Sequence, residues 1–343
     1  MTGTGSFELQ PLNSFGVSAR AERLITISDR QQLSQLHFRP QRDLILGGGS
    51  NLLLAADLKG TVFQVRLAGR ELMRESDRST RVTLGAGENW HAVVRWTLAQ
   101  GLSGLENLSL IPGLVGAAPI QNIGAYGVEL AESLLEVHVW DWQARRQRTL
   151  DRDACAFGYR DSRFKSAEPG RFLITALTLR LQHHFTPRLD YAGLAQALQE
   201  TSKNPQAPSA LEVSDAVIRL RREKLPDPAQ LGNAGSFFKN PVLDAARAEA
   251  LAAQHPELPL YASQHGRFKV SAAWLIERCG WKGFREGDAG VSAQHALVLV
   301  NYGRASGAEL AQLAARIRAD VWQTFAIELE PEPRILPPLP ALA

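Results

Sequence analysis

"DLILGGGSNLLLAADLKGTVFQVRL", residues 43–67, alternates short apolar runs with glycine-bearing breaks. Runs of that length closed by glycine suit β-strands joined by tight turns better than any helix. Three consecutive glycines, Gly47, Gly48 and Gly49, lead into Ser50 and Asn51 directly after a strand-like run. Successive N–H groups in such a turn can form an anion-binding nest, because glycine accepts unusual φ values and leaves no Cβ to obstruct a phosphate. A dinucleotide fingerprint of the doubly wound kind should open a helix, whereas the residues after Asn51 are again strand-like, so the Rossmann reading fails. For this stretch alone, a plain tight turn and a phosphate site are both open.

More strands come later in the chain. "RVTLGAG" (81–87), "LLEVHVWDW" (134–142) and "RFLITALTLRL" (171–181) are rich in β-branched and aromatic residues, and the last alternates Leu177, Leu179 and Leu181 with polar neighbours. Between them "ENWHAVVRWTLAQG" (88–101) sets Trp90, Val93, Val94, Thr97 and Leu98 on one helical face and stops at Gly101, a C-cap position. Around residues 183–213 the signal weakens into Pro and polar clusters that read as a boundary or inserted loop. A helix is then expected from Ser214 and Asp215, as caps, to about Pro226, and two further amphipathic helices in "SAAWLIERCG" and "GAELAQLAARIRADVWQTF". The last feeds a short strand in "AIELEPEPRIL". Separate strand and helix blocks predict an α+β fold rather than a regularly alternating sheet.

Composition narrows the function classes. The 343 residues suffice for two or three domains, and 45% apolar with 21% charged residues is ordinary for a globular chain. A formal net charge of +3 is too slight for nucleic-acid binding, which needs a concentrated basic face. Cys155 and Cys279 stand alone without metal spacing, so they read as inert thiols of a reducing compartment, with no metal site. "MTGTGSFELQ" has no signal-peptide character and no run reaches membrane-spanning length, so a cytoplasmic protein without membrane contact is expected.

The segment "LSLIPGLVGAAPIQNIGAYG" (108–127) interleaves glycines and prolines with apolar residues. Small residues let a backbone lie close against a flat ligand, and Gln121, Asn122 and Tyr126 can offer hydrogen bonds and an aromatic wall; a buried glycine-rich turn is the alternative.

"PIQNIGAYG", "FGYRDSRFK", "GNAGSFFKNP" and "LEPEPRIL", in this order and at this separation, resemble the UDP-N-acetylenolpyruvoylglucosamine reductase family of bacterial cell-wall enzymes over about residues 10–335. The resemblance implies an FAD-binding region of the PCMH or vanillyl-alcohol-oxidase type at 10–185, in two parts of about 10–70 and 71–185. It further implies a connecting loop region at 186–213, an α/β UDP-sugar domain at 214–325, and a C-terminal strand and tail at 326–343 returning towards the FAD site. FAD contacts would fall on Gly47, Gly48, Gly49, Ser50 and Asn51 for the diphosphate, and on Pro112, Gly113, Gly116, Ile123, Gly124, Tyr126 and Gly127 for the rest. Some relatives carry serines where this chain has Ala117 and Ala118, so backbone groups must serve there. No His or Cys in these motifs indicates a covalent link, so noncovalent FAD is expected.

The implied reaction moves a hydride from NADPH, through FAD, to the enolpyruvyl group of UDP-N-acetylglucosamine-enolpyruvate, giving UDP-N-acetylmuramate for peptidoglycan. Arg160 would grip the carboxylate as it becomes an enolate, a task that suits the guanidinium fork. Ser236 would protonate the α-carbon, an act that requires close placement and excluded water. Around it Gly235 would permit close approach, Phe237 and Phe238 would exclude solvent or pack the loop, and Lys239 and Asn240 would lie ready for polar contacts. Glu332, with Glu330 as a near neighbour, matches the third catalytic position. An ion-pair role for Arg160 beside Asp153 and Asp161, and a turn hydrogen bond for Ser236, are the plainer alternatives. For the UDP-sugar the resemblance points to Tyr191, Lys224, Asn240, Tyr261 and His295, and "LDYAGL" to the subclass with a tyrosine-bearing loop. A monomer is expected. Another flavin oxidoreductase on the same scaffold, or a nonenzymatic UDP-sugar-binding protein, are the rival readings.

Overall fold

The computed structural model describes residues 2–191, 193–202 and 204–338. These fall into two compact units, one made of residues 2–7, 21–49 and 58–223 and the other of residues 8–20, 50–57 and 224–338.

Of the 43–67 stretch, Leu44–Leu46 and Leu58–Val65 are strands of the first unit, as their short apolar runs dictate, while residues 50–57 between them belong to the second. Leu44–Leu46 and Arg20–Ile27 both run parallel to Leu58–Val65, with Leu44 opposite Val62 and Ile25 opposite Phe63. From Gly60 onward Leu58–Val65 is buried throughout, the polar Thr61 and Gln64 included. A separate antiparallel sheet has the order Arg146–Asp151, Leu134–Asp141, Phe172–Gln182, Ser79–Gly85, Arg70–Arg74. Leu177, Leu179 and Leu181 are fully buried at its centre, as their alternation predicts. The intervening Thr178 is buried too, because its hydroxyl meets Thr83 Oγ1 at 3.1 Å and His138 Nε2 at 2.9 Å. At the rim, Arg70–Arg74 is exposed along its whole length and carries three charges, which discourages edge-to-edge pairing.

Helix α1, Trp90–Ala99, packs onto this core through Trp90, Val93, Val94 and Thr97. The Asn89 side chain accepts the Ala92 N–H at 2.9 Å to cap its start, and Gly101, at φ +72°, comes just after its end. Within the stretch expected to be a connecting loop, the structure places helix α2, Leu194–Thr201. The next helix, α3, spans Ala210–Lys224 and starts before Ser214 and Asp215. Those two residues are therefore not caps. Ser209 fills that role, its hydroxyl accepting the Glu212 N–H at 3.2 Å while Glu212 Oε2 accepts the Ser209 N–H at 2.9 Å. Leu194, Ala197 and Leu198 of α2 pack against Val213, Ala216, Val217 and Leu220 of α3.

One buried charge anchors the antiparallel sheet. Asp141, fully buried, pairs with Arg171 Nη2 at 2.9 Å and Arg148 Nη1 at 3.1 Å and accepts the Gln143 and Ala144 N–H groups. Burial alone would raise its pKa, but the Arg171 bond and the other donors hold it well below the usual carboxylate range. Because the folded pKa is depressed, its contribution is present above the ordinary value of 3.8 and is lost as the pH falls through the folded value. Asp141→Asn should cost about 3 kcal/mol, read as a shifted denaturant midpoint, because two guanidinium groups lose their shared anion. An unchanged midpoint would contradict this account.

The second unit arranges α4 (Ala245–Gln254), α5 (Ala272–Arg278) and α6 (Gly307–Phe325) with short strands. Its sheet order is Gly232–Asn233, Leu299–Asn301, Ala289–Val291, Arg285–Glu286. Helix α6 buries Leu310, Leu313, Ala314, Ile317 and Val321, a helical stripe, and begins at a Ser306–Glu309 capping box. Leu52–Leu54 runs parallel to Arg334–Leu336, with Leu53 opposite Ile335. Among the described residues no helix is long and apolar enough to cross a membrane.

Candidate active site

In the first unit the two glycine-rich segments lie against each other. A Cβ placed on Gly48 would come within 3.1 Å of the Gly113 Cα, and one on Gly116 within 2.6 Å of the Ala86 Cβ. A Cβ on Gly47 would make ordinary contact with Ala117 at 3.7 Å. Close backbone approach is thus the reason for glycine at 48 and 116. Neither 44–49 nor 108–128 contains a charged residue, so the donors these two segments offer are N–H groups and neutral side chains. That donor set fits an FAD diphosphate bound through backbone groups, as the alanines at 117 and 118 require.

Gly124–Ala125 and Val128–Glu129 form a hairpin whose two central residues, Tyr126 at φ +50° and Gly127 at φ +80°, are both left-handed. That is the backbone of a type I′ turn. Ile123, mostly buried, donates its N–H to Ala118 O at 3.1 Å. Asn122 is also buried, and its side chain binds Glu129 Oε2 at 2.7 Å, Gly158 O at 3.3 Å and the Ala131 N–H at 3.0 Å. This corrects its reading as a ligand donor: it knits three segments of the unit together.

The bond from Asn122 to Gly158 draws in the loop bearing Arg160. Gly158 and Asp161 exchange backbone hydrogen bonds of 3.1 and 3.3 Å across a tight turn, which puts Arg160 at φ +54°. Its Nη2 donates to Gly124 O at 2.8 Å. Nearby Asp161 accepts from the Ser162 N–H and Ser166 Oγ, and Asp153 meets Arg152 at 3.5 Å. The left-handed conformation costs a non-glycine residue about 1 kcal/mol, so the surrounding bonds must hold it.

Tyr126 and Tyr191, assigned by resemblance to cofactor and substrate, meet edge to face with ring centroids 4.9 Å apart. Burial, aided by Tyr191 and opposed by Arg221, pushes the Tyr126 phenol up to about 12, so it stays a hydrogen-bond donor. No sequence motif singles out Arg221. It lies on α3 with its Nε 3.2 Å from Leu110 O, and burial lowers its pKa from the ordinary guanidinium value, with Tyr126 opposing and Arg160 adding to that effect. A signal is nonetheless present, since Arg221 stands four residues after the buried Val217 on the same helical face.

In the second unit the Ser236 loop runs antiparallel to the 330–332 segment. Phe238 bridges Pro331, the Glu332 N–H donates to Phe237 O at 2.8 Å, and the Lys239 N–H donates to Glu330 O at 2.9 Å. Ser236 and Glu332, far apart in the chain, are therefore carried on adjacent backbones. Asn51 joins them: its Nδ2 donates to Glu332 O at 3.3 Å, and its carbonyl accepts the Arg334 N–H at 3.1 Å. Phe237 and Phe238 are buried, stack edge to face at 5.1 Å, and fasten the loop to the core. Gly235, at φ +70°, supplies the turn, and Asn233 Oδ1 holds its N–H at 2.9 Å. Lys239, expected to be ready for polar contacts, instead pairs with Glu330.

Asn240 Oδ1 accepts the Ala272 N–H at 3.0 Å, at the start of α5, which leaves its amide nitrogen as the donor end. Tyr261 is half exposed on the strand Leu260–Ala262. His295 Nδ1 accepts the Leu297 N–H at 3.2 Å, and burial together with the positive charges of Lys224 and Lys282 pushes its pKa down. Lys224 and His295 are thus brought within electrostatic reach of each other. Of the two thiols, Cys155 is buried and pushed up to about 12 by desolvation and Asp151, which makes it inert.

Residues 36–149 match a family model described as an FAD binding domain, and residues 227–336 match one described as the C-terminal domain of UDP-N-acetylenolpyruvoylglucosamine reductase. A protein of that name from Azoarcus sp. (strain BH72) is 52% identical over 338 residues, covering 96% of each chain. Another from Chromobacterium violaceum is 50% identical over 334 residues, covering 96% of this chain and 97% of its own. The solved structure of UDP-N-acetylenolpyruvylglucosamine reductase from Thermus caldophilus superposes with a TM-score of 0.67 at 26% identity, over 98% of this chain and 99% of its own. On near-full-length identity of about half, with both of its regions matched in order, the chain belongs to the UDP-N-acetylenolpyruvoylglucosamine reductase family.

Proposed function

We propose that this chain is an FAD-dependent reductase that uses NADPH to convert UDP-N-acetylglucosamine-enolpyruvate to UDP-N-acetylmuramate in peptidoglycan precursor synthesis, acting in the cytoplasm as a monomer. The observation that carries this reading is the match of an FAD binding domain and a reductase C-terminal domain, in order, on one chain. FAD, when bound, supplies the relay of a hydride from NADPH to the β-carbon of the enol ether. Gly47, Gly48, Gly49, Ser50 and Asn51 would hold its diphosphate, and Pro112, Gly113, Gly116, Ile123, Gly124, Tyr126 and Gly127 the remainder.

Hydride addition leaves negative charge on the α-carbon and its carboxylate. Arg160 holds that enolate with paired donors, whose strength rises as charge develops on the oxygens. Ser236 delivers the proton to the α-carbon and takes a replacement from solvent or a neighbour. Glu332, which the motif register favours over Glu330, would donate a hydrogen bond to the enolate when it carries a proton. Lys224 meets the diphosphate, while Tyr191, Asn240, Tyr261 and His295 hold the rest of the UDP-sugar.

The purified protein should be yellow, and denaturation followed by filtration should release its flavin, the outcome expected of noncovalent FAD. Under anaerobic conditions the reduced flavin should be reoxidised by the enolpyruvyl substrate. A colourless protein, or reoxidation by oxygen alone, would reject the proposal.

A further inference from the structure

Resting on the FAD reading above, we propose that His91 is a positioning residue of the cofactor cradle. Its unprotonated Nδ1 accepts the Leu110 N–H, and through Leu110 it holds both the 108–113 limb and the guanidinium of Arg221.

Leu110 sits at φ +57°, a conformation that a side-chain-bearing residue keeps only when its surroundings impose it. The surrounding atoms are tied one by one to α1 and α3. Trp90 Nε1 donates to Leu108 O at 3.0 Å, the Trp90 N–H donates to Gly113 O at 3.1 Å, and Ser109 Oγ meets Ser214 Oγ at 2.7 Å. Arg95 Nη1 donates to the same Ser214 hydroxyl at 2.9 Å and pairs with Asp215 at 2.6 Å, joining the two helices. The Leu110 N–H is held at 3.0 Å by His91 Nδ1, and the Leu110 carbonyl accepts from Arg221 Nε at 3.2 Å. Leu110 therefore links the imidazole to the half-buried cation that interacts with Tyr126 and Tyr191. Of the two side chains that grip Leu110, the imidazole is the one that titrates near neutral pH.

Since Nδ1 accepts, the ring proton lies on Nε2. The charged groups acting on the ring are Arg95 from its own helix and Arg221 and Arg222 from α3, and the 108–113 limb carries none. Burial first, then these three cations, push its pKa below the ordinary 6.5. A depressed folded-state pKa means that the hold is complete above about pH 6.5 and is lost as the pH falls through the folded value. Protonation then turns the acceptor into a donor facing the Leu110 N–H.

The test uses the full chain loaded with FAD, with flavin fluorescence reading the dissociation constant from neutral to mildly acidic pH, and amide exchange reading Leu110. Wild type should lose roughly tenfold in FAD affinity on acidification, the scale of one hydrogen bond. His91→Asn, which keeps an acceptor near the Nδ1 position but cannot be protonated, should show a flat profile and slow Leu110 exchange. His91→Leu should bind FAD roughly tenfold more weakly at every pH, with fast Leu110 exchange. Unchanged affinity and exchange in His91→Leu, or an acid-dependent loss that persists in His91→Asn, would overturn the proposal while leaving the FAD reading intact. If His91→Leu does not fold, the His91→Asn profile decides. Failure of wild type to take up FAD at any pH would overturn both.

Discussion

Ser236→Ala is expected to leave reduction of the bound flavin by NADPH nearly intact while slowing delivery to the enolpyruvyl substrate roughly 100-fold or more. The substitution should be clean because the loop does not depend on the hydroxyl for its shape. Asn233 Oδ1 fixes the Gly235 N–H, the Phe237 N–H donates to Leu297 O at 2.7 Å, and both phenylalanine rings are buried in the core. Removing one oxygen should therefore delete the proposed proton source and little else. A lost general acid slows only the step in which its proton moves, so the two half-reactions should separate. Anaerobic stopped-flow absorbance tracks each in turn. Equal slowing of both would mean that the flavin is misplaced, and unchanged substrate turnover would remove Ser236 from the chemistry.

Arg160→Ala should cost on the order of 3 kcal/mol in the same second half-reaction, again about 100-fold, because the donor proposed for the developing charge is lost. Alanine carries a Cβ as arginine does, so the strain of φ +54° is shared by both residues and does not account for the loss. The bond from Nη2 to Gly124 O also disappears, and FAD affinity serves as the control for that effect. Arg160→Lys restores the charge without the planar fork and should recover only part of the rate. A second half-reaction in Arg160→Ala as fast as in wild type would rule this guanidinium out as the enolate donor.

Much of this architecture is legible in the sequence because the physics that writes it is local. The glycine triplet after a strand-like run has no helix to open, and strands succeed it on both sides of the next turn. Helix α1 is marked by its buried face and by Gly101, and α6 by an unbroken apolar stripe. The start of α3 misleads for a local reason too. Ser214 and Asp215 have the chemistry of caps, but Ser209 and Glu212 form a full capping box upstream, and Ser214 is instead buried against Ser109 and Arg95. Helix α2 is obscured by the polar and proline residues around it, and its apolar face becomes meaningful only with α3 packed on it.

The linear text of this chain is enough for its strand-rich beginning, the apolar faces of α1 and α6 and, through motifs in a particular order, its family, since spacing and periodicity survive without coordinates. Which polar groups face one another needs the folded arrangement. Lys239 turns to Glu330, Asn122 knits three segments, Glu332 lies beside the Ser236 loop, and Arg221 hangs from Leu110. A buried polar atom must find a partner wherever the fold offers one. For Lys239 and Arg221 that partner stands 91 and 111 residues away in the chain, beyond the reach of any local pattern.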